Sequence, residues 1–176
     1  MQRGFTLIEI MTSVAIFAIV MTISVGSIIG VFDTNRRSET LKAVMDNLNL
    51  SMESMSREMR FGRNYNCGLS APITSPQVCS SGGDAIAFRA NDGSTIIYQK
   101  NGPTIEKSDD GGVNFVPVTA PEITIDSLQF FVLGALSGDS LQPKILIKIK
   151  GSAGTKASSR TEFTVQTMIS QRQLDS

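Results

Sequence analysis

Apolar residues fill the first part of the chain almost without interruption. Between Arg3 and Asp33 the only ionisable side chain is Glu9, and no charge occurs from Ile10 to Phe32, a run that includes Val14, Phe17, Val20, Ile23, Ile28 and Val31. At about 1.5 Å per residue, a helix of roughly 23 residues crosses the ~30 Å hydrocarbon core of a bilayer. A helix is the open-chain solution in lipid because it satisfies its own backbone hydrogen bonds. Past Asp33 the composition turns polar, but the helical period persists. Leu41, Val44, Met45, Leu48, Met52, Met55 and Met59 recur every three or four residues as one apolar stripe. Arg37, Glu39, Asp46, Glu53, Arg57, Glu58 and Arg60 take the other faces, with Glu53 and Arg57 at i,i+4 in the favourable sign order. No proline occurs between Phe5 and Phe61, and Gly62 offers a C′ residue, with Arg57, Arg60 and Arg63 near the negative helix end. The pattern predicts one helix from Phe5 to about Phe61, ~85 Å long. Its part over 5–32 is transmembrane, and its amphipathic part over 33–62 packs on the chain's own head.

From Cys67 onward the period shifts towards two. Strands are expected at 85–89, 95–100, 104–107, 115–118, 123–133, 144–150 and 161–168, separated by turn signals at Asn91-Asp92-Gly93, Asn101-Gly102 and 108–112. Lys144 to Lys150 alternates, with Ile145, Ile147 and Ile149 on one face and lysines at 144, 148 and 150; Leu146 is the exception. Residues 151–159 read as a flexible hairpin loop. Short strands with such turns predict an antiparallel meander over 63–176, laid on the apolar stripe of the helix. The fold class is therefore α+β.

Composition narrows the chemistry. The 16 basic and 16 acidic residues balance, so no strong field favours nucleic acid. Arg57, Arg60 and Arg63 are few and lack interleaved aromatics. There is no histidine, which removes the usual general base and the commonest metal ligand, and two cysteines cannot form a four-thiolate zinc site. Asp109-Asp110-Gly111 is too short to supply six or more oxygens to calcium and reads as a solvated turn. Neither an enzyme nor a cofactor or metal site is expected.

The N-terminal run is too long for the apolar region of an ordinary secretory signal, and no Ala-x-Ala site closes it. A plain signal anchor accounts for the hydropathy, but not for Glu9, a lone carboxylate that is costly in such a helix unless paired or protonated. Met1-Gln2-Arg3-Gly4-Phe5-Thr6-Leu7-Ile8-Glu9 resembles the prepilin signature of type IV pilins and type II secretion pseudopilins. The resemblance implies a leader over residues 1–4, cut by a prepilin peptidase between Gly4 and Phe5, and N-methylation of Phe5. It also implies that Glu9 sets assembly register by meeting the Phe5 amine of a neighbouring subunit. It further implies a single-pass inner-membrane precursor, head outside the cytoplasm, that packs by its helix against other pilins or pseudopilins in a filament. Charge alone argues against that orientation, since Arg36, Arg37 and Lys42 outnumber Arg3; peptidase access argues for it. Gly26 and Gly30 have the spacing of close helix approach, or mark a place where the helix loosens.

The order after the helix, with Ile86-Ala87-Phe88 and Ile96-Ile97-Tyr98, is similar to J-type minor pseudopilins. A head outside the cytoplasm permits a Cys67–Cys79 disulfide around the loop containing Pro72 and Pro76; two free thiols are the alternative. A second functional class stays open: a permanently anchored protein whose head binds a ligand or acts as an adhesin.

Overall fold

In a computed structural model the described residues form one long helix followed by nine strands. The structure describes residues 4–68, 73, 75–136, 138–139, 141–154 and 160–172. Residues 1–3 of the expected leader, Pro72, residues 155–159 of the expected loop and the side chain of Arg37 lie outside the described set. The chain divides into two units, Met1–Thr40 and Leu41–Ser176.

Helix α1 runs Leu7–Phe61. It continues through Gly26 and Gly30, where a Cβ would meet nothing within 4 Å. No proline or intruding side chain interrupts the helical ladder there. In the second unit the stripe is buried as expected. Val44, Leu48, Met52, Met55 and Met59 are covered, with Leu41 and Met45 packed at the margin. Glu53 and Arg57 form the exposed i,i+4 pair at 3.1 Å.

The helix end differs from the expectation at Gly62. Its backbone is not left-handed. A Cβ on Gly62 would lie 2.5 Å from Phe88 Cδ2, so glycine is required by a close ring approach. The buried Tyr65 hydroxyl lies 2.5 Å from the Met59 carbonyl oxygen and 2.7 Å from that of Gly62. The Arg172 N–H donates to the Arg60 carbonyl at 2.9 Å. Terminal carbonyls are thus satisfied by tertiary partners.

The strands are β1 (Arg63–Asn66), β2 (Cys79–Gly83), β3 (Ala85–Arg89), β4 (Thr95–Asn101), β5 (Thr104–Ser108), β6 (Val116–Pro117), β7 (Ile123–Leu133), β8 (Lys144–Ala153) and β9 (Thr161–Ser170). All pairs are antiparallel, but they form two sheets, ordered β1-β3-β4-β5-β6 and β2-β7-β8-β9, where a single meander was expected. β2 joins β7 although β3 follows β2 in the chain; that non-local choice has no signature in the pattern of either strand. β1 and β2 were not anticipated, because Arg63–Asn66 and Cys79–Gly83 lack apolar alternation. β8 extends through Gly151, which pairs with Ile125 on one side and Phe163 on the other, so the expected loop starts later than residue 151. At the β4–β5 hairpin Asn101 pairs with Thr104, making Gly102-Pro103 the two-residue turn. Gly102 has φ 54°, and proline cannot follow it with positive φ. This fits a II′ turn rather than the I′ turn that Asn-Gly suggests.

The inner faces of both sheets and the stripe of α1 share one core, which includes Phe88, Tyr98, Phe130, Ile145, Ile147, Ile149 and Ile169. The other face of the first sheet is covered as well, with Ala87 and Ile97 packed beneath Ile73 and Phe115. The outer face of the second sheet carries Lys144 and Lys150, both exposed, and the partly buried Leu146 and Lys148.

Candidate functional site

The first helical turn is organised by two residues three apart. Thr6 precedes the first helical residue, Leu7, and Glu9 is the third residue of the helix. The Thr6 N–H and hydroxyl donate to Glu9 Oε2 at 3.0 and 2.8 Å, and the Glu9 N–H donates to Thr6 Oγ1 at 3.4 Å. This is a reciprocal capping box, and the carboxylate also sits where the helix dipole favours negative charge. Glu9 is therefore not solitary, as its place in an uncharged run suggested. The Thr-x-x-Glu spacing was the available signal. Its meaning was hidden because Thr6-Leu7-Ile8 also reads as the start of the apolar run.

Gly4 and Phe5 lie just outside the helix, and Phe5 is 85 % exposed. A Cβ on Gly4 would meet nothing within 4 Å, so the bond between the two residues is unobstructed by the described chain. Phe5, Glu9, Ile10, Ser13 and Val14 line one shallow depression along the helix surface. The structure thus brings Phe5 and Glu9 to one face, with Thr6 turning the carboxylate back towards the chain end.

Beyond this turn the apolar segment has no buried side chain. None of the most apolar stretch of α1 is buried. Several of its hydroxyls are satisfied locally. Ser13 donates to the Glu9 carbonyl at 2.7 Å, Thr22 to Ala18 at 2.8 Å and Ser24 to Val20 at 2.8 Å. A helix with its backbone and most of its hydroxyls satisfied internally, and an apolar surface facing outward, is compatible with a lipid surround or with other apolar helices. By length and composition it can cross a membrane.

In the head, Cys67 and Cys79 are joined in a disulfide with Cα atoms 6.2 Å apart. The bridge ties the segment after β1 to the start of β2, one strand from each sheet. Asp109 pairs with Lys107 at 2.8 Å. Asp110 accepts from the Asn114 N–H at 2.9 Å, the Ser108 hydroxyl at 2.6 Å, the Asn114 side chain at 2.7 Å and the Val113 N–H at 3.0 Å. Those bonds, the Asn114 backbone foremost, hold the Asp110 carboxyl well below the usual range. Both carboxylates organise a turn. Among the described residues no cluster of three acidic or cysteine side chains is placed to hold a metal ion.

Glu58 was expected on a solvent face beside Arg57 and Arg60. It instead accepts hydrogen bonds from Tyr98 and Lys107, each at 2.7 Å, and docks α1 on the first sheet. Its tertiary partners lie 40 and 49 residues away, which helical periodicity cannot reveal.

Residues 1–25 match the family model described as the prokaryotic N-terminal methylation motif. Neither a curated protein nor a solved structure matches the chain.

Proposed function

We propose, for a chain carrying the prokaryotic N-terminal methylation motif, that it is the precursor of a structural subunit of a type IV pilus or type II secretion pseudopilus, with no catalysis of its own. The motif points to a type IV pilin-like or pseudopilin-like precursor, and it implies processing by a prepilin peptidase and assembly with other pilins. The observation that carries the finer reading is the pairing of an exposed Gly4–Phe5 junction with a wholly exposed apolar helix whose one charge, Glu9, is capped by Thr6.

The sequence of events follows from the charges. The precursor sits in the inner membrane by residues 5–32, with the head outside the cytoplasm. Cleavage after Gly4 makes a new amine at Phe5, which is then N-methylated. In the filament the Glu9 carboxylate of one subunit meets the Phe5 amine of a neighbour. Either charge is costly among apolar helices alone, and the pair compensates both while selecting the axial stagger. The likeness to J-type pseudopilins around Ile86 and Ile96 supports a minor rather than an abundant subunit.

Co-expression with a prepilin peptidase, followed by mass analysis of the N-terminus, tests this reading. The expected product begins at N-methylated Phe5. A product that keeps Met1 and never leaves the bilayer would instead identify a permanent anchor with a binding head, and the proposal would be abandoned.

A further inference from the structure

Among the described residues two antiparallel sheets present four edges, and three of them are blunted. β1 has four residues, a register shift and Asn64 at φ 55°. β6 has two residues, one of them Pro117. β2 has a register shift between Cys79 and Gly83 and is held by the disulfide. These are the usual devices by which proteins prevent strand addition.

β9 has none of them. It runs ten residues in unbroken register with β8, from Thr161 opposite Ala153 to Ser170 opposite Lys144. It contains no proline, glycine or lysine, and its one charge is Glu162, next to its start. β9 ends its sheet, and among the described residues no backbone group pairs with its outer edge. Alternate N–H and C=O groups of an edge strand point outward, giving about five rungs for an added strand.

The surroundings specify what such a strand carries. Phe163 and Ile169 are buried on the inner face, while Val165 and Thr167 between them are only half-buried. Apolar residues on an added strand would complete that rim. On the outer face Phe131, Leu146 and Met168 pair in one row across three strands, and Met168 is 59 % exposed. Lys144 and Lys148 border the row, and Lys150 follows Lys148 on the same face. From Lys144 to Arg172 the sequence holds six lysines and arginines against Glu162 alone, in a chain whose charges balance only as a whole. A second copy pairing its own β9 here would bring two such basic regions together, and like charge opposes it.

We infer that the free edge of β9 docks an extended segment of a partner protein, acidic in charge and apolar at alternate positions. The main-chain ladder supplies the affinity of such an addition, and side chains supply its selectivity. The site lies wholly in the head unit and does not depend on cleavage at Gly4.

The test uses the full chain in a non-ionic detergent with the labelled peptide acetyl-Thr-Val-Glu-Val-Asp-Val-Glu-Ile-amide. A second peptide replaces its acids by lysine, and two more are N-methylated at alternate residues, one for each edge of the strand. The acidic peptide is expected to bind at least tenfold tighter than the lysine peptide and to slow amide exchange within Thr161–Ser170. One N-methylated peptide should lose at least tenfold in affinity and the other little. The K148E/K150E double variant, checked for folding by circular dichroism, should weaken binding at least tenfold. The proposal is overturned by absence of binding, by equal binding of the acidic and basic peptides, by indifference to both methylations, or by exchange protection that maps elsewhere. Self-association that protects β9 without peptide would assign the edge to a second copy and overturn it too.

Discussion

The Tyr98 hydroxyl donates to one oxygen of the Glu58 carboxylate at 2.7 Å, and Lys107 Nζ donates to the other at 2.7 Å. The arrangement joins the amphipathic part of α1 to neighbouring strands of the first sheet. It places a partly shielded carboxylate between a phenol and an ammonium group, each of which limits the cost of removing it from water.

Tyr98→Phe should therefore lower stability by about 1–2 kcal/mol, since Glu58 keeps Lys107 but loses its neutral donor. The effect also depends on pH. Burial, and then Glu58, raise the Tyr98 phenol well above its ordinary range. Its contribution is complete below the unfolded tyrosine value of about 10 and declines as pH rises beyond it. Lys107 adds to the same alkaline slope; burial lowers its value, but Asp109 and Glu58 outweigh burial and the net direction is upward. Urea titrations from neutral to strongly alkaline pH should show a shallower, but not flat, profile for Tyr98→Phe. An unchanged slope would remove Tyr98 from this account.

Gly62→Ala should cost about 1–3 kcal/mol, the range for forcing extra volume into a packed interior. The new Cβ would fall 2.5 Å from a ring carbon of Phe88, which is itself held between Tyr65 and Tyr98. Adding Phe88→Leu to Gly62→Ala should cost less than the two single changes sum to. Strict additivity in thermal unfolding would argue against the ring contact as the cause.

Asp110→Asn should flatten the acid side of the stability curve. Because the folded carboxyl is held below its unfolded value, its contribution is present above about pH 4 and is lost as pH falls further. The variant lacks that titration, so its stability should decline less steeply through the acid range. Parallel acid profiles for variant and parent would contradict the assignment.

Removing the disulfide with Cys67→Ser and Cys79→Ser together should destabilise the head by ~3 kcal/mol, on the chain-entropy account of closing a short loop. The bridged residues are 12 apart in sequence. Equilibrium unfolding measures the loss. Quantitative labelling of the exported parent should find no free thiol, and recovery of two would refute the bridge.

Glu9→Ala should leave peptidase cleavage intact and abolish incorporation into filaments if, as proposed, the Phe5 amine of a neighbour pairs with Glu9. Thr6→Val should fall between parent and Glu9→Ala, since it keeps the carboxylate but removes one half of the cap, worth about 1 kcal/mol. The ratio of cleaved to sheared-filament protein reads both effects. Parent-like incorporation of Glu9→Ala would end the register argument.

Much of this protein was legible before any coordinates. An uncharged apolar run, a helical stripe from Leu41 to Met59 and strand-like alternation at Ile123–Leu133 are local periodicities, and local periodicity reports which face must leave water. For the same reason the Gly4-Phe5-Thr6-Leu7-Ile8-Glu9 motif is readable as a string, since its residues act within one turn of chain. What periodicity could not supply was partnership. Whether β2 pairs with β3 or β7, why Gly62 must lack a side chain, and that Glu58 faces inward all depend on groups distant in sequence. Each was decided only when the chain closed on itself, because the exclusion of water and the fit of rings and charges across elements belong to the assembled core, and no single segment contains them.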